Sequence, residues 1–149
     1  MLSENHRILI VDDEPVNLLM LEKVLRRKYE VVTAKSGYEA LKILHRETVS
    51  MLITDQRMPG LTGTELLRKS RSINPDMVCM LITAESDSGT FLDAIMNSGA
   101  IRVIKKPWDP EKLLQTVETS LEKYESRCET KKAISELKKL NEQFDKTVR

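Results

Sequence analysis

The chain is poor in cysteine and has no long apolar run. Its 149 residues include two cysteines, Cys79 and Cys128, and neither has a partner at metal-ligand spacing, so we predict two unpaired thiols. No apolar stretch approaches the roughly eighteen residues that cross a bilayer, and Met1–Arg7 lacks the apolar segment of a signal peptide. These absences argue against a membrane protein and predict a cytoplasmic one.

The chain also lacks an excess of either charge. Its 24 Lys and Arg residues nearly balance 23 Asp and Glu residues, for a net charge of +1. Without a basic field or a basic recognition helix, we expect no direct binding of nucleic acid. The two histidines, His6 and His45, have no neighbouring acid or cysteine pattern, which favours surface or helix-flank positions. The length allows a single domain with an appendage.

Four short apolar runs each lead to a residue suited to phosphate or metal chemistry. Unbroken apolar runs are typical of buried parallel strands, and ligands of an open α/β sheet bind beyond the carboxyl ends of the strands. We therefore expect all four groups to meet at one edge of the sheet. The runs and the residues that follow them are Ile8–Val11 with Asp12-Asp13, Met51–Thr54 with Asp55, Val78–Ile82 with Thr83, and Ile101–Ile104 with Lys106.

Strand and helix signals alternate along the chain. Strands are predicted at about 7–11, 30–34, 50–54, 78–82 and 101–105, because Val, Ile and Leu dominate these segments. Helix signals fill the gaps, namely Pro15, Ser36-Gly37, the Thr62–Glu65 capping pattern, the segment Ser88–Asn97 and Asp109-Pro110. This alternation predicts a parallel sheet that is covered on both faces by helices with right-handed crossovers.

The three carboxylates at the predicted sheet edge require a counter-charge. Like charges a few ångströms apart repel, and a hard divalent cation together with an ammonium group would compensate them. An Asp carboxylate can attack phosphorus and form an acyl phosphate, and Asp55 is the best-placed candidate. Successive strand residues face opposite ways, so only one of Lys105 and Lys106 can point at the site.

These segments together resemble a known family. The stretches Ile8–Glu14, Leu52–Gly60, Ile82–Ala84 and Lys106–Trp108 resemble the receiver domain of two-component response regulators, in the right order and over roughly residues 6–125. The resemblance implies a flavodoxin-like (βα)5 doubly wound sheet with strand order 2-1-3-4-5. It also favours Lys106 over Lys105, because a proline follows Lys106.

The same resemblance implies a metal-dependent phosphorylation site. Asp55 would accept the phosphoryl group. Asp13 and Asp55 would bind Mg²⁺, or alternatively Mn²⁺, directly, with the backbone carbonyl of Arg57 as a further ligand. Asp12 would act mostly through water.

Further residues receive switching or tuning roles. By resemblance, Thr83 would hydrogen-bond the phosphoryl group and Lys106 would pair with it. Many receivers carry an aromatic ring at the position of Val103, so the usual aromatic switch is not expected in this chain. Arg57 and Glu85 flank the predicted mouth, and we hypothesise that they pair across it and tune the lifetime of the phosphoryl group.

The implied function is a phosphorylation-controlled switch. A sensor histidine kinase or a histidine phosphotransfer protein would be the donor, and the chain would catalyse only its own phosphorylation and dephosphorylation. An aspartyl phosphatase that acts on other substrates needs a second acid two residues after the nucleophile, where this chain has Arg57. A phosphate-independent interaction module is the alternative, which the intact set of acids, Thr83 and Lys106 argues against.

Residues 126–149 are predicted to extend the fifth helix beyond a receiver domain at 1–125. No glycine and no further proline follow Pro110, and apolar residues recur near heptad spacing, although the step from Cys128 to Ile134 predicts a change of winding or a short interruption. A solvated linker helix and a parallel coiled-coil homodimer, with Asn141 at a core position, are equally compatible with this pattern. By resemblance, such a helix often leads to an output domain.

Overall fold

The chain forms a five-stranded parallel sheet. The computed structural model describes residue 2 and residues 5–84 and 102–148, with side chains up to residue 145. The strands are β1 (Arg7–Val11), β2 (Glu30–Ala34), β3 (Met51–Asp55), β4 (Val78–Thr83) and β5 (Arg102–Lys105). Their order in the sheet is β2-β1-β3-β4-β5, with every neighbouring pair parallel. The expected flavodoxin-like topology is confirmed.

The strand ends fix the positions of two candidate site residues. Each strand begins and ends within one residue of its predicted position, but β3 includes Asp55 and β4 includes Thr83. The backbone of both residues therefore belongs to the hydrogen-bonded sheet rather than to a loop. A side chain on such an element is held more rigidly than one on a loop.

Four helices are described, and their starts follow the sequence signals. They are α1 (Pro15–Leu25), α2 (Gly37–Arg46), α3 (Gly63–Ile73) and α4 (Pro110–Val148), which is the C-terminal helix. Ser36 caps α2 by accepting from the amide of Glu39, and Thr62 and Glu65 form the predicted capping box of α3. The helix predicted over Ser88–Asn97 lies outside the described residues.

The core consists of two apolar layers, one on each face of the sheet. Alternate residues of β1 point to opposite faces, so Leu9 and Val11 belong to one layer and Ile8 and Ile10 to the other. The first layer includes Ala40, Ile43, Leu44, Leu66 and Leu67 from α2 and α3, and the second includes Leu18, Leu21, Val24, Leu113, Val117 and Leu121 from α1 and the C-terminal helix. Helices therefore cover both faces, as the doubly wound pattern requires.

The C-terminal helix is continuous from Pro110 to Val148. Of the two alternatives predicted between Cys128 and Ile134, the short interruption is therefore wrong, and the change of winding stays a prediction. The helix packs against the sheet up to Leu121, and every described side chain from residue 132 to residue 145 is exposed. Among the described residues, no helix has the length and apolar character that a bilayer crossing needs.

Candidate functional site

Three carboxylates meet at the carboxyl edge of the sheet. Asp12 and Asp13 directly follow β1, and Asp55 ends the neighbouring strand β3. Each offers one oxygen, and these oxygens lie within 4.8 Å of one another. Asp12 and Asp55 are buried, with exposures of 2% and 8%. Two of the three carboxylates are thus shielded from water, whereas Asp13 is accessible to it.

Lys106 brings a positive charge into contact with these acids. Its Nζ lies 2.8 Å from Oδ1 of Asp55, and its backbone amide donates to the carbonyl of Thr83 at 2.9 Å. The peptide bond between Lys106 and Pro107 is cis. Of the two candidate lysines, Lys106 reaches the acids, whereas Lys105 is an exposed residue of the edge strand.

Burial and charge shift the pKa values of two of these groups. Burial, together with the charge of Asp55, raises the pKa of Asp12 above its ordinary value, although the amide of Glu14 donates to Asp12 Oδ1 at 2.9 Å and partly offsets this effect. Partial burial opposes the charged form of Lys106, but the hydrogen bond and charge of Asp55 outweigh it and raise the pKa of Lys106. Lys106 therefore remains an ammonium group at neutral pH.

Asp12→Asn is expected to raise the melting temperature of the metal-free chain at pH 7 by a few degrees. The asparagine still accepts from the amide of Glu14 but carries no charge to repel Asp55. Folding raises the pKa of Asp12, so its neutral carboxyl group is favoured in the folded state. This contribution to stability is complete below the ordinary pKa of 3.8 and is lost as the pH rises through the raised pKa of the folded state. Unfolding in EDTA at pH 5 and pH 7 should therefore show a larger gain at pH 7. An equal or lower stability of the variant at pH 7 would contradict this electrostatic account.

The remaining predicted site residues differ in how close they lie to the three carboxylates and in how deeply they are buried. Thr83 is buried at the end of β4, one residue beyond the partner of Asp55 in the strand register. Arg57 is exposed in the segment that follows β3. Val103 is half-buried in the layer that contains α2 and α3. Glu85 lies outside the described residues, so its predicted pairing with Arg57 stays a prediction.

The loop between β3 and α3 is held by Gln56, a residue that the sequence analysis did not identify. Its backbone amide donates to the carbonyl of Ile82 at 3.0 Å, and its side-chain oxygen accepts from the amide of Thr64 at 2.9 Å. Its carbonyl accepts from the amide of Gly63 at 3.0 Å. Gln56, the residue directly after Asp55, is therefore hydrogen-bonded both to β4 and to the first turn of α3.

Gly63→Ala is expected to destabilise the fold by about 3 kcal/mol, because overpacking at a backbone contact cannot be relieved by rotating a side chain. A methyl group at Gly63 would overlap the backbone carbonyl oxygen of Asp55 and lie 2.7 Å from Cδ1 of Leu81. Gly60→Ala is the comparison, since its φ of 82° costs a non-glycine residue about 1–2 kcal/mol. Urea unfolding measures both, and an equal loss in the two variants would contradict the close-contact argument.

An apolar surface adjoins the acidic group on the side of α1. A cleft of about 390 Å³ is lined by Asp12 and Lys106 together with Met20 and Trp108. On α1, Val16, Leu19 and Met20 are exposed by 67%, 61% and 53%. This face was not among the features predicted from the sequence, for which only Pro15 marked the start of α1. Apolar residues outside an inward stripe are the signal that could have identified it.

The acidic group fits a hard divalent cation. Mg²⁺ prefers oxygen ligands and is usually held by one or two carboxylates with several waters. Asp12, Asp13 and Asp55 supply only carboxylate oxygens, and they lie close enough to share one ion. The three carboxylates repel one another, and a bound cation would reduce this repulsion further than the contact of Lys106 with Asp55 does.

The sequence matches one protein family over most of its length. The sequence model of the response regulator receiver domain matches residues 8–118. HoxA of Bradyrhizobium diazoefficiens, a hydrogenase transcriptional regulatory protein, is 34% identical over 141 residues, or 95% of this chain and 29% of HoxA. GlrR of Escherichia coli, a transcriptional regulatory protein, is 35% identical over 118 residues, or 77% of this chain and 26% of GlrR. The chain thus spans less than a third of the length of these relatives.

Solved structures agree with this match. A CheY-like response regulator receiver domain protein from Methanospirillum hungatei is similar to the chain with a TM-score of 0.78 and 30% identity. The similar region covers 83% of this chain and 99% of that one. Nearly the whole of that receiver domain thus has a counterpart in this chain.

Proposed function

Because this chain belongs to the receiver domains of two-component response regulators, we propose that Asp55 is its phosphoacceptor and that phosphorylation controls its output. The observation that carries the proposal is the contact of Asp55 Oδ1 with Lys106 Nζ at 2.8 Å, beside Asp12 and Asp13. A buried carboxylate between an ammonium group and a cluster of metal-binding oxygens has the surroundings that phosphoryl transfer requires.

In the proposed reaction, an oxygen of Asp55 forms a bond to phosphorus while the bond between phosphorus and the donor breaks. The departing donor group leaves with the bonding electrons and takes up a proton. Lys106 stabilises the negative charge on the phosphoryl oxygens, and the hydroxyl of Thr83 donates a hydrogen bond to one of them. Hydrolysis of the acyl phosphate then restores Asp55. The chain thus catalyses only its own phosphorylation and dephosphorylation.

A divalent cation is part of the proposal. Asp13, Asp55 and the backbone carbonyl of Arg57 would hold Mg²⁺ directly, and Asp12 would bind it mostly through water. Mn²⁺ satisfies the same oxygen ligands. When bound, the cation supplies positive charge opposite Lys106 and so helps to neutralise the phosphoryl group.

The family supports a proposal about the donor, and the exposed face of α1 supports a proposal about where the donor docks. We propose a sensor histidine kinase or a histidine phosphotransfer protein in the cytoplasm as donor. The exposed apolar residues of α1, Val16, Leu19 and Met20, lie beside the cleft that contains Lys106. A donor that covers them would exclude water from the reacting groups, which strengthens the electrostatic contacts there.

The C-terminal helix is the proposed route to the output. We assign residues 1–125 to the receiver domain and 126–149 to an extension that leads to an output domain, as the greater length of HoxA and GlrR suggests. Ile134, Leu137 and Phe144 are exposed by 49%, 60% and 68%. Their spacing fits a parallel coiled-coil homodimer, with Asn141 in the core of the seam.

Intact mass spectrometry tests the proposed function. The chain is incubated with phosphoramidate, a small phosphoryl donor, in Mg²⁺ or in EDTA. We expect a gain of one phosphoryl group in Mg²⁺ alone, and hydroxylamine should remove it because an acyl phosphate is reactive toward this nucleophile. A folded chain that gains no mass in Mg²⁺ would instead support the phosphate-independent interaction module.

A further inference from the structure

His6 lies in the interior at the amino edge of the sheet, opposite the carboxylate site. Its side chain is 1% exposed, so the predicted surface or helix-flank position is wrong. Nδ1 lies 2.8 Å from Oγ of Ser50, and Nε2 lies 2.7 Å from Oε2 of Glu125. Because an ionised carboxylate only accepts hydrogen bonds, Nε2 is the donor to Glu125. Both ring nitrogens thus have partners, and one of these partners belongs to the C-terminal helix.

Two further contacts join the C-terminal helix to the same edge. The ring of Tyr124 packs edge-on against His6, with 5.8 Å between the ring centroids and an angle of 86°. Nζ of Lys131 lies 2.6 Å from Oδ1 of Asp76 in the turn before β4. We call the contacts of His6 with Ser50 and Glu125 the basal latch, and the Lys131–Asp76 ion pair the outer contact.

The basal latch lies where the helix changes from packed to exposed. Leu121 is the last fully buried apolar side chain of the helix, and every described side chain beyond Lys131 is exposed. The latch is therefore placed at the junction of the receiver domain and its extension. His6 and Ser50 precede β1 and β3, the strands whose opposite ends lead to Asp12 and Asp55.

We propose that the basal latch sets the direction in which the C-terminal helix leaves the receiver domain, and that opening the latch lets the helix tilt as an intact rod. The backbone hydrogen bonds of the helix do not depend on Glu125, so loss of the latch leaves the helix formed. From Leu121 to Lys139 the helix extends about 27 Å, so a tilt of about 10° moves Lys139 by about 5 Å. In the homodimer proposed above, the latch would thereby fix how the two receiver domains are oriented.

The basal latch contributes more of this restraint than the outer contact does. Glu125 and His6 are exposed by only 14% and 1%, and breaking such a contact leaves polar groups without partners in the interior. The outer contact joins side chains that are 59% and 28% exposed, and exposed ion pairs contribute little. Substitution of Glu125 is therefore expected to change the direction of the C-terminal helix more than substitution of Lys131 or Asp76.

Spin-label distance measurements test the latch without any phosphoryl donor, so their outcome is independent of the proposed function. Labels are attached at Arg46→Cys on α2 and Lys139→Cys on the C-terminal helix, in a Cys128→Ser background. Cys79 is buried and its pKa is raised to about 11 by that burial, so it stays unlabelled. An excess of unlabelled chain is added so that distances between labels on two copies of the chain do not contribute to the measurement.

We expect Glu125→Ala to broaden or shift the distance distribution by up to about 5 Å, the displacement of Lys139 that a tilt of about 10° produces. His6→Phe keeps the ring beside Tyr124, removes both hydrogen bonds and should have the same effect, which covers the case that one variant folds poorly. Glu125→Gln, which can still accept from Nε2, and the exposed control Glu129→Ala should match the parent. Unchanged distributions in both Glu125→Ala and His6→Phe, or a loss of helical circular dichroism in both, would overturn the proposal.

Discussion

Asp55→Asn is expected to abolish the Mg²⁺-dependent gain of one phosphoryl group from phosphoramidate. The amide oxygen of asparagine is uncharged and is a much weaker nucleophile than a carboxylate, so the bond to phosphorus cannot form at a useful rate. The variant should still fold, because the amide oxygen can accept from Lys106 Nζ, which lies 2.8 Å from Oδ1 of Asp55. Intact mass measures the gain, and thermal unfolding checks the fold.

Asp109→Asn is the matched control for this experiment. Asp109 caps the C-terminal helix by accepting from the amide of Lys112 at 3.0 Å, and asparagine is an equally good N-cap. This variant should gain the same mass as the parent chain. An undiminished gain in Asp55→Asn would show that another residue accepts the phosphoryl group and would contradict the assignment.

The juxtaposition of the acids and Lys106 could be predicted because it follows from topology. Parallel strands direct their carboxyl ends to one edge, so residues after separate apolar runs converge even when they are far apart in sequence. Asp12 and Asp55 come together in this way, and Lys106 joins them from the last strand. To predict that these residues meet, the ends of the strands had to be known to about one residue. Apolar runs in the sequence locate strand ends with this accuracy.

The basal latch could not be predicted because its partners have no local pattern. His6 and Glu125 are separated by 119 positions, and their contact depends on where the C-terminal helix crosses the start of β1. A histidine beside polar residues near the start of a chain is typical of a surface position. Packing against Tyr124 and the hydrogen bonds to Ser50 and Glu125 make its burial favourable.

The wrong prediction of an interrupted C-terminal helix has a different cause. The apolar stripe shifts its phase between Cys128 and Ile134, and a phase shift affects winding only where the helix packs against a partner. The apolar residues of the helix up to Leu121 pack on the sheet, whereas Ile134, Leu137, Leu140 and Phe144 are exposed. The backbone hydrogen bonds therefore continue through the shift, and no glycine or proline interrupts them.

Lys106→Ala is expected to slow phosphorylation of the chain by phosphoramidate about 10²–10³-fold, the effect typical of removing one fixed donor to a charged transition state. Its Nζ lies 2.8 Å from Oδ1 of Asp55, the atom that would bond to phosphorus or its partner oxygen. The neighbouring acids raise the pKa of Lys106 above 10.5, so its charge, and its contribution to the rate, should be constant between pH 6 and pH 9. Initial rates of mass gain in Mg²⁺ measure the effect.

Lys105→Ala is the control, since it removes the same charge from the preceding residue, which is exposed at the edge of the sheet. Its rate should stay within about twofold of the parent, because exposed charges near a site are screened by solvent and salt. Equal losses in the two variants would mean that Lys106 acts only through the general field of the domain. A large loss in Lys106→Ala alone, with the fold intact, requires contact of its ammonium group with the reacting atoms.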